Sequence, residues 1–141
     1  MSIQIGYSRR AASTQAFAMI AEGWNDLVQE GFTPDLVGTC PVNANSEVIY
    51  AVSSDGDVVG VLTWEYRDDK DAYEVTLGYV EPSSRQQRAF TEMFKTLHDR
   101  AQSKGVSTVY VPVHPNNEVA RLVLAKLKAS AVSVVYEHAV A

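Results

Sequence analysis

Residues 72–90 read AYEVTLGYVEPSSRQQRAF, and this stretch decides the fold. From Tyr73 to Val80 apolar residues alternate with Glu74, Thr76 and Gly78, the period-two pattern of a half-buried strand. Pro82 ends it, because proline has no N–H to give to a sheet ladder. Ser84 followed by Gln87 has the spacing of a capping box and predicts a helix running to about Lys104. Phe90, Met93, Phe94, Leu97 and Ala101 form its apolar stripe, and Gly105 supplies the stop.

Upstream, Val48–Ser53 and Val58–Tyr66 read as strands joined by a hairpin turn at Ser54-Asp55-Gly56-Asp57. The charged run Arg67-Asp68-Asp69-Lys70-Asp71 reads as a solvated second turn. Ile3, Ile5 and Tyr7 alternate as a short first strand. Ser13 or Thr14 is positioned to cap a helix ending near Gly31, with Phe17, Ile20, Ala21, Trp24, Leu27 and Val28 on one face. Gly31–Ser46 has no period. It is a long connection with room for one helical turn near Asp35, and connections of that length usually carry function or move. Downstream come a strand over Thr108–Val113, a turn at His114-Pro115-Asn116, and a helix over Asn117–Lys128 with Ala120, Val123, Leu124 and Leu127 inward. A last strand is expected over Ala131–Val140. The order β-α-βββ-α-β-α-β places the chain in the α/β (α+β) class with a mixed sheet, and 141 residues suit a single domain over 1–141.

Hydrophobic residues make up 46% of the chain and charged residues 21%, which is enough apolar material for a core. Twelve basic against 17 acidic residues give a net charge of −5, a poor balance for phosphate backbones, so no nucleic-acid partner is expected. One cysteine, Cys40, makes neither an internal disulfide nor a cysteine metal site and fits a reducing compartment. Neither a signal peptide nor a long apolar span is visible, so a cytoplasmic location and no membrane partner are expected. His98, His114 and His138 are scattered without paired spacing, and no metal site is expected. Hydrolase, Walker and dinucleotide motifs are missing.

The element order and the segment Glu74–Phe90 resemble the GNAT superfamily of N-acetyltransferases. In that family a strand ends in Val-x-Pro, here Val80-Glu81-Pro82. A turn of pattern (Gln/Arg)-x-x-Gly-x-(Gly/Ala) then opens the next helix, and Arg85 stands at its first position. The resemblance implies a mostly antiparallel central sheet flanked by helices, and acetyl-CoA as acyl donor. The donor's diphosphate would lie on a helix N-terminus, where N–H groups are unpaired. Its pantetheine arm would pair with the strand backbone as an added strand does. The cofactor-binding residues so implied are Gly78, Tyr79, Val80, Arg85, Gln86, Gln87, Arg88, Ala89 and Phe90. Asn117 joins them, since Asn117-x-x-Ala120 is similar to the family's Asn-x-x-Ala helix start. The chain departs from the pattern at Arg88 and Phe90, where glycines are usual, and at Leu124, where a thiolate-protonating tyrosine is usual.

Glu74 lies six residues before Val80, where some members of that family carry a general base, and it is the candidate catalytic residue. An ammonium cannot attack a carbonyl, so amine transfer needs one group that takes a proton. The same glutamate also suits the solvent face of a strand. Trp64, Tyr66, Tyr73 and Tyr79 suit either core packing or the lining of an acceptor pocket. The resemblance thus leads to an N-acyltransferase passing an acetyl group to an amine-bearing small molecule or protein by direct attack. The alternative is a GNAT-fold chain that has lost catalysis and serves protein binding or assembly, in the manner of phage-borne members. It predicts an exposed apolar patch, and an unpaired last strand would allow a homodimer.

Overall fold

The computed structural model describes residues 2–32, 40, 42–85 and 88–132. Within them the elements are β1 (Gln4–Ser8), α1 (Ala16–Glu30), β2 (Val48–Val52), β3 (Val58–Arg67), β4 (Ala72–Val80), α2 (Ala89–Ser103), β5 (Thr108–Tyr110) and α3 (Glu118–Lys126). The strands form one sheet in the order β1-β2-β3-β4-β5. The first four are antiparallel neighbours, and β5 runs parallel to β4. This is the mixed, mostly antiparallel sheet expected. The helical turn near Asp35, His138, and residues 133–140 of the expected last strand lie outside the described residues.

β3 is central and covered on both faces, so Val59, Gly60, Val61, Leu62, Thr63 and Trp64 are buried without alternation. Its hairpin with β2 closes through Gly56 at φ +87°, with Ser53 N–H donating to Asp57 C=O at 2.9 Å. α2 covers one face through Ala89, Met93, Leu97 and Ala101, which pack with Ile49, Leu62, Trp64 and Tyr73. α1 covers the other face through Ala16, Met19 and Ile20, against Val48, Val61, Leu77 and Tyr79. Burying one such Leu or Met side chain contributes about 1.5–3 kcal/mol.

One residue lets β4 serve both layers. The β3–β4 register runs Thr63↔Leu77 and then Trp64↔Val75, so Thr76 is a bulge opposite no residue of its own. Before it, Tyr73 and Val75 point to the α2 layer; after it, Leu77 and Tyr79 point to the α1 layer. The threonine hydroxyls of Thr63 and Thr76 satisfy one another across the bulge at 2.7 Å.

Three local expectations are corrected. Neither Ser13 nor Thr14 caps α1: Ala11–Ser13 is a 3-10 turn, Thr14 Oγ1 donates back to Ala11 C=O, and the cap position is Gln15 with no side-chain bond. The buried stripe of α1 is Ala16, Met19, Ile20 and Gly23, while Phe17 and Val28 are 40% and 47% exposed. The chain offers apolar residues on two sides of this helix, and the sheet covers only one. The Ser84–Gln87 capping box does not form around Ser84 either. Ser84 belongs to a 3-10 turn (Pro82–Ser84), its hydroxyl donates to Glu81 Oε1 at 3.0 Å, and α2 starts at Ala89. The helix ends are as expected: Gly31 and Gly105 both take positive φ after the last turn.

Candidate functional site

β4 and β5 pair only over Ala72↔Thr108, Tyr73↔Val109 and Glu74↔Tyr110. Beyond Glu74 the strands part, and among the described residues no strand pairs with the β5-facing edge of β4 up to Val80. The ladder on the other side determines which main-chain groups this edge presents. Glu81 N–H donates to Val59 C=O at 2.9 Å, and Val80 stands opposite Gly60. In an antiparallel ladder bonded and non-bonded pairs alternate, so Val80 and Gly78 turn their own N–H and C=O away from β3. Gly78 and Val80 therefore offer two donors and two acceptors along an open edge. Tyr79, between them, does not: its main chain faces β3 and its side chain faces α1.

The Tyr79 ring lies against Gly23 of α1, and its hydroxyl donates to Asp26 Oδ2 at 2.6 Å. Burial, and then that carboxylate, push the phenol well above its ordinary pKa. It is a committed donor rather than a proton source. Asp26 and Gly23 were not singled out from the sequence; the signal was a glycine and an acid three residues apart on the buried side of a helix.

The turn after β4 holds the substituted positions. Arg85 follows the 3-10 turn, and its Nε–H donates to Val80 C=O at 2.9 Å with the guanidinium 5.7 Å from the Tyr79 ring centre. Gln86 and Gln87 lie outside the described residues. Arg88, at a position where glycine is usual, takes the backbone that glycine would give: φ 65°, ψ 17°, left-handed. Phe90, at the other such position, turns its ring inward over Gly78, with Cε2 2.9 Å from where a Gly78 Cβ would stand, and stacks on Phe94. Ala89 is fully buried. The first α2 bond is Glu92 N–H to Arg88 C=O at 3.0 Å, so the amides of Ala89, Phe90 and Thr91 have no partner inside the helix. With the Gly78–Val80 edge, this start fits an elongated ligand carrying an amide arm and a diphosphate.

The left-handed Arg88 makes a prediction. A side chain there costs about 1–2 kcal/mol, part of which glycine's larger unfolded-state entropy returns. Arg88→Gly is expected to melt at or up to about 4 °C above the parent. A lower melting temperature would show that the turn is held in another way.

Glu74 sits where β4 and β5 part. Tyr73 and Val75 on either side point into the α2 layer, so Glu74 faces the α1 side. Its side chain is 27% exposed, and Arg67 Nη1 stands 3.4 Å from its Oε1. Glu65 is its cross-strand neighbour. The Arg67–Glu74 pair was hidden in the sequence because it depends on register: the two are diagonal neighbours across a turn read only as a solvated tip.

The other candidates are packing residues or exposed. Trp64 and Tyr73 are buried in the α2 layer beside Tyr7, Tyr79 is buried on the opposite face, and Tyr66 is 53% exposed, so the four aromatics line no common pocket. Asn117 is the N-cap of α3, its Oδ1 accepting from Ala120 N–H at 3.2 Å, which leaves its amide NH2 for other partners. Leu124 is half-buried on the inward side of α3 with Ala120, Val123 and Leu127. His98 is exposed beside Asp99. Clefts of about 210 and 200 Å³ flank the β2–β3 turn, the second reaching Glu81, Ser83 and Ser84 of the turn after β4. Among the described residues no three His, Cys, Asp or Glu side chains group to hold a metal ion, and no helix is long and apolar enough to cross a membrane.

Comparison with known proteins converges on one family. The family model described as "Acetyltransferase (GNAT) family" matches residues 15–128. Among solved structures the chain is similar to a ribosomal-protein-alanine N-acetyltransferase from Brucella melitensis biovar Abortus 2308, at 17% identity and TM-score 0.69 over 99% of each chain. It is also similar to an aminoglycoside acetyltransferase from an uncultured soil metagenomic sample, at 16% identity and TM-score 0.68 over 99% of this chain and 95% of that one. An aminoglycoside N-acetyltransferase, AAC(6')-Iy, in complex with CoA matches at 14% identity and TM-score 0.67, over 96% of this chain and 98% of that one. No curated protein matches the sequence.

Proposed function

We infer, from the premise that the chain belongs to the GNAT family of acetyltransferases, that it passes an acetyl group from acetyl-CoA to an amine by direct attack. The observation that carries the reading is the open edge of β4 followed by an α2 start at which Arg88 holds the left-handed backbone usual for glycine. Gly78 and Val80 would hold the pantetheine arm by main chain. The amides at the start of α2 would take the diphosphate, with charge added by Arg85 and Arg88 and the flanking Gln86 and Gln87 completing the turn. The NH2 of Asn117 would contact the arm from the α3 side. Bound acetyl-CoA supplies a thioester carbonyl open to an uncharged amine.

The chain's own groups do the rest. An N–H near Gly78 is placed to donate to negative charge gathering on a carbonyl oxygen. Glu74 takes the proton from the incoming ammonium. Strand rise puts about 13 Å of β4 between Glu74 and Gly78, more than one water spans, so the proton passes along a short chain of waters. The acceptor amine enters from the α1 side, where Glu65 and Glu74 stand opposite each other and favour a cationic substrate. No hydroxyl stands at Leu124, so a departing thiolate draws its proton from water or another donor. The acceptor is an amine-bearing small molecule or protein, and the work is that of one domain, 1–141, in the cytoplasm.

Isothermal titration with acetyl-CoA, and with desulfo-CoA as a thiol-free comparison, tests this. Micromolar binding of both is expected. No heat and no thermal shift up to millimolar ligand would overturn it. One observation favours the second reading, a GNAT-fold protein used for binding: Val119, Leu122 and Val132 are 69%, 64% and 73% exposed on and after α3. The edge of the last strand, on which a homodimer would pair, lies outside the described residues. Failure of both ligands would direct the search to that apolar surface.

A further inference from the structure

The carbonyl of Val80 is one of four main-chain polar groups that Gly78 and Val80 turn to the open edge of β4, and it already accepts a hydrogen bond from within the chain. Arg85 reaches back five residues to donate Nε–H to it at 2.9 Å, while its guanidinium leans toward the Tyr79 ring, itself anchored to α1 through Asp26. The root of the arginine is fixed, since Arg85 N–H closes on Pro82 C=O at the end of a 3-10 turn. Among the described residues its terminal nitrogens take no acceptor. A cation is thus held on the acceptor that an arm's amide N–H would need, next to the turn where a diphosphate would sit.

We propose that Arg85 is a two-position clasp that covers the Val80 carbonyl in the free protein and surrenders it to the ligand's amide when its guanidinium turns to the diphosphate. The proposal rests on the acetyl-CoA reading above and adds selection for the whole cofactor. An arm without phosphates must compete with the arginine for that oxygen and offers it nothing in return. An arm with a diphosphate gives the displaced cation a better partner, because charge-assisted bonds to phosphate are stronger than bonds to a neutral carbonyl. Arg85 is therefore a specificity-determining residue: it weakens binding of pantetheine and strengthens binding of CoA. A static strut, with Nε kept on Val80 and only the terminal nitrogens used, would strengthen both or leave pantetheine untouched.

The test compares Arg85→Ala with the parent, titrating CoA and pantetheine separately by calorimetry, with thermal melts to establish folding. The clasp predicts changes of opposite sign: pantetheine binds roughly fivefold tighter and CoA roughly tenfold weaker. Pantetheine affinity that is unchanged or reduced in a folded Arg85→Ala overturns it. Should that variant fail to fold, Arg85→Lys is used, which keeps the charge but cannot hold Val80 through an Nε–H. There pantetheine is expected to gain and CoA to lose at most a few-fold, and no gain for pantetheine is again decisive against the clasp. In the parent, the Arg85 Nε–H resonance is expected to move when either ligand binds; a resonance unmoved by CoA also refutes it. Parent protein that binds no CoA at all defeats the acetyl-CoA reading, and the clasp with it. Parent that binds CoA without the inversion defeats the clasp alone.

Discussion

Glu74→Gln is expected to lower kcat by about 10²-fold or more while leaving the KM for acetyl-CoA nearly unchanged. Glutamine has the shape of glutamate and can still sit beside Arg67 at the place where β4 and β5 part, but it cannot accept a proton at neutral pH. Binding along Gly78–Val80 uses main chain some distance down the strand, so the cofactor side should not register the change. The pH profile supplies the sign. Without the base the reaction depends on the fraction of amine that is already uncharged, so the variant's residual rate should climb with pH more steeply than the parent's. Steady-state kinetics with a reactive amine across pH checks both parts. An unchanged kcat would return Glu74 to the role of a paired surface carboxylate.

Gly23→Ala is expected to cost about 2 kcal/mol, lowering the melting temperature by roughly 4–8 °C. A Cβ at Gly23 would stand 2.6 Å from Tyr79 Cγ and 2.7 Å from Tyr79 Cβ. Those atoms are the root of the side chain and move only if β4 moves, so the clash costs about 3 kcal/mol. About 1 kcal/mol returns because alanine is the better helix residue. Gly78→Ala is the contrast. Its Cβ would meet Phe90 Cε2 at 2.9 Å, the far end of a ring that can tilt, and the loss should be smaller. Thermal denaturation of the two variants ranks them. A Gly23→Ala protein as stable as the parent would mean that α1 does not press on β4 as described.

The strands and the helix stops followed from alternation and from Gly31, Gly56 and Gly105, because period two and positive φ are local properties. The start of α2 did not. Ser84 and Gln87 carry capping-box spacing, but the Ser84 hydroxyl finds Glu81 nearer, and Arg88 delays the helix by adopting a conformation that sequence assigns to glycine. The buried face of α1 is not legible in the sequence because Phe17 and Val28 are apolar and only tertiary packing decides which side is covered. At the site, the strand-to-helix turn was visible as a motif. Its contacts were not: Arg85 to Val80, Arg67 to Glu74 and Tyr79 to Asp26 all depend on register or on the approach of a helix. Nor does the sequence tell how Arg88 and Phe90 are accommodated: one obeys glycine's dihedral angles and the other turns its ring over Gly78.

Thr76 is a phase slip in the strand. Inward and outward positions of β4 exchange parity there, and main-chain direction exchanges with them. Giving Thr76 a partner of its own in the ladder, opposite Thr63, would rotate Leu77–Val80 by half a turn. Leu77 and Tyr79 would be driven into a layer already filled by Met93 and Leu97, and the amides of Gly78 and Val80 would turn from the open edge to β3. The composition of the α1 core and the aim of the cofactor-facing backbone are thus locked to the same residue. A lineage could exchange the side chains on either side of Thr76 with some freedom, or lose the extra residue, but could not take it into the ladder.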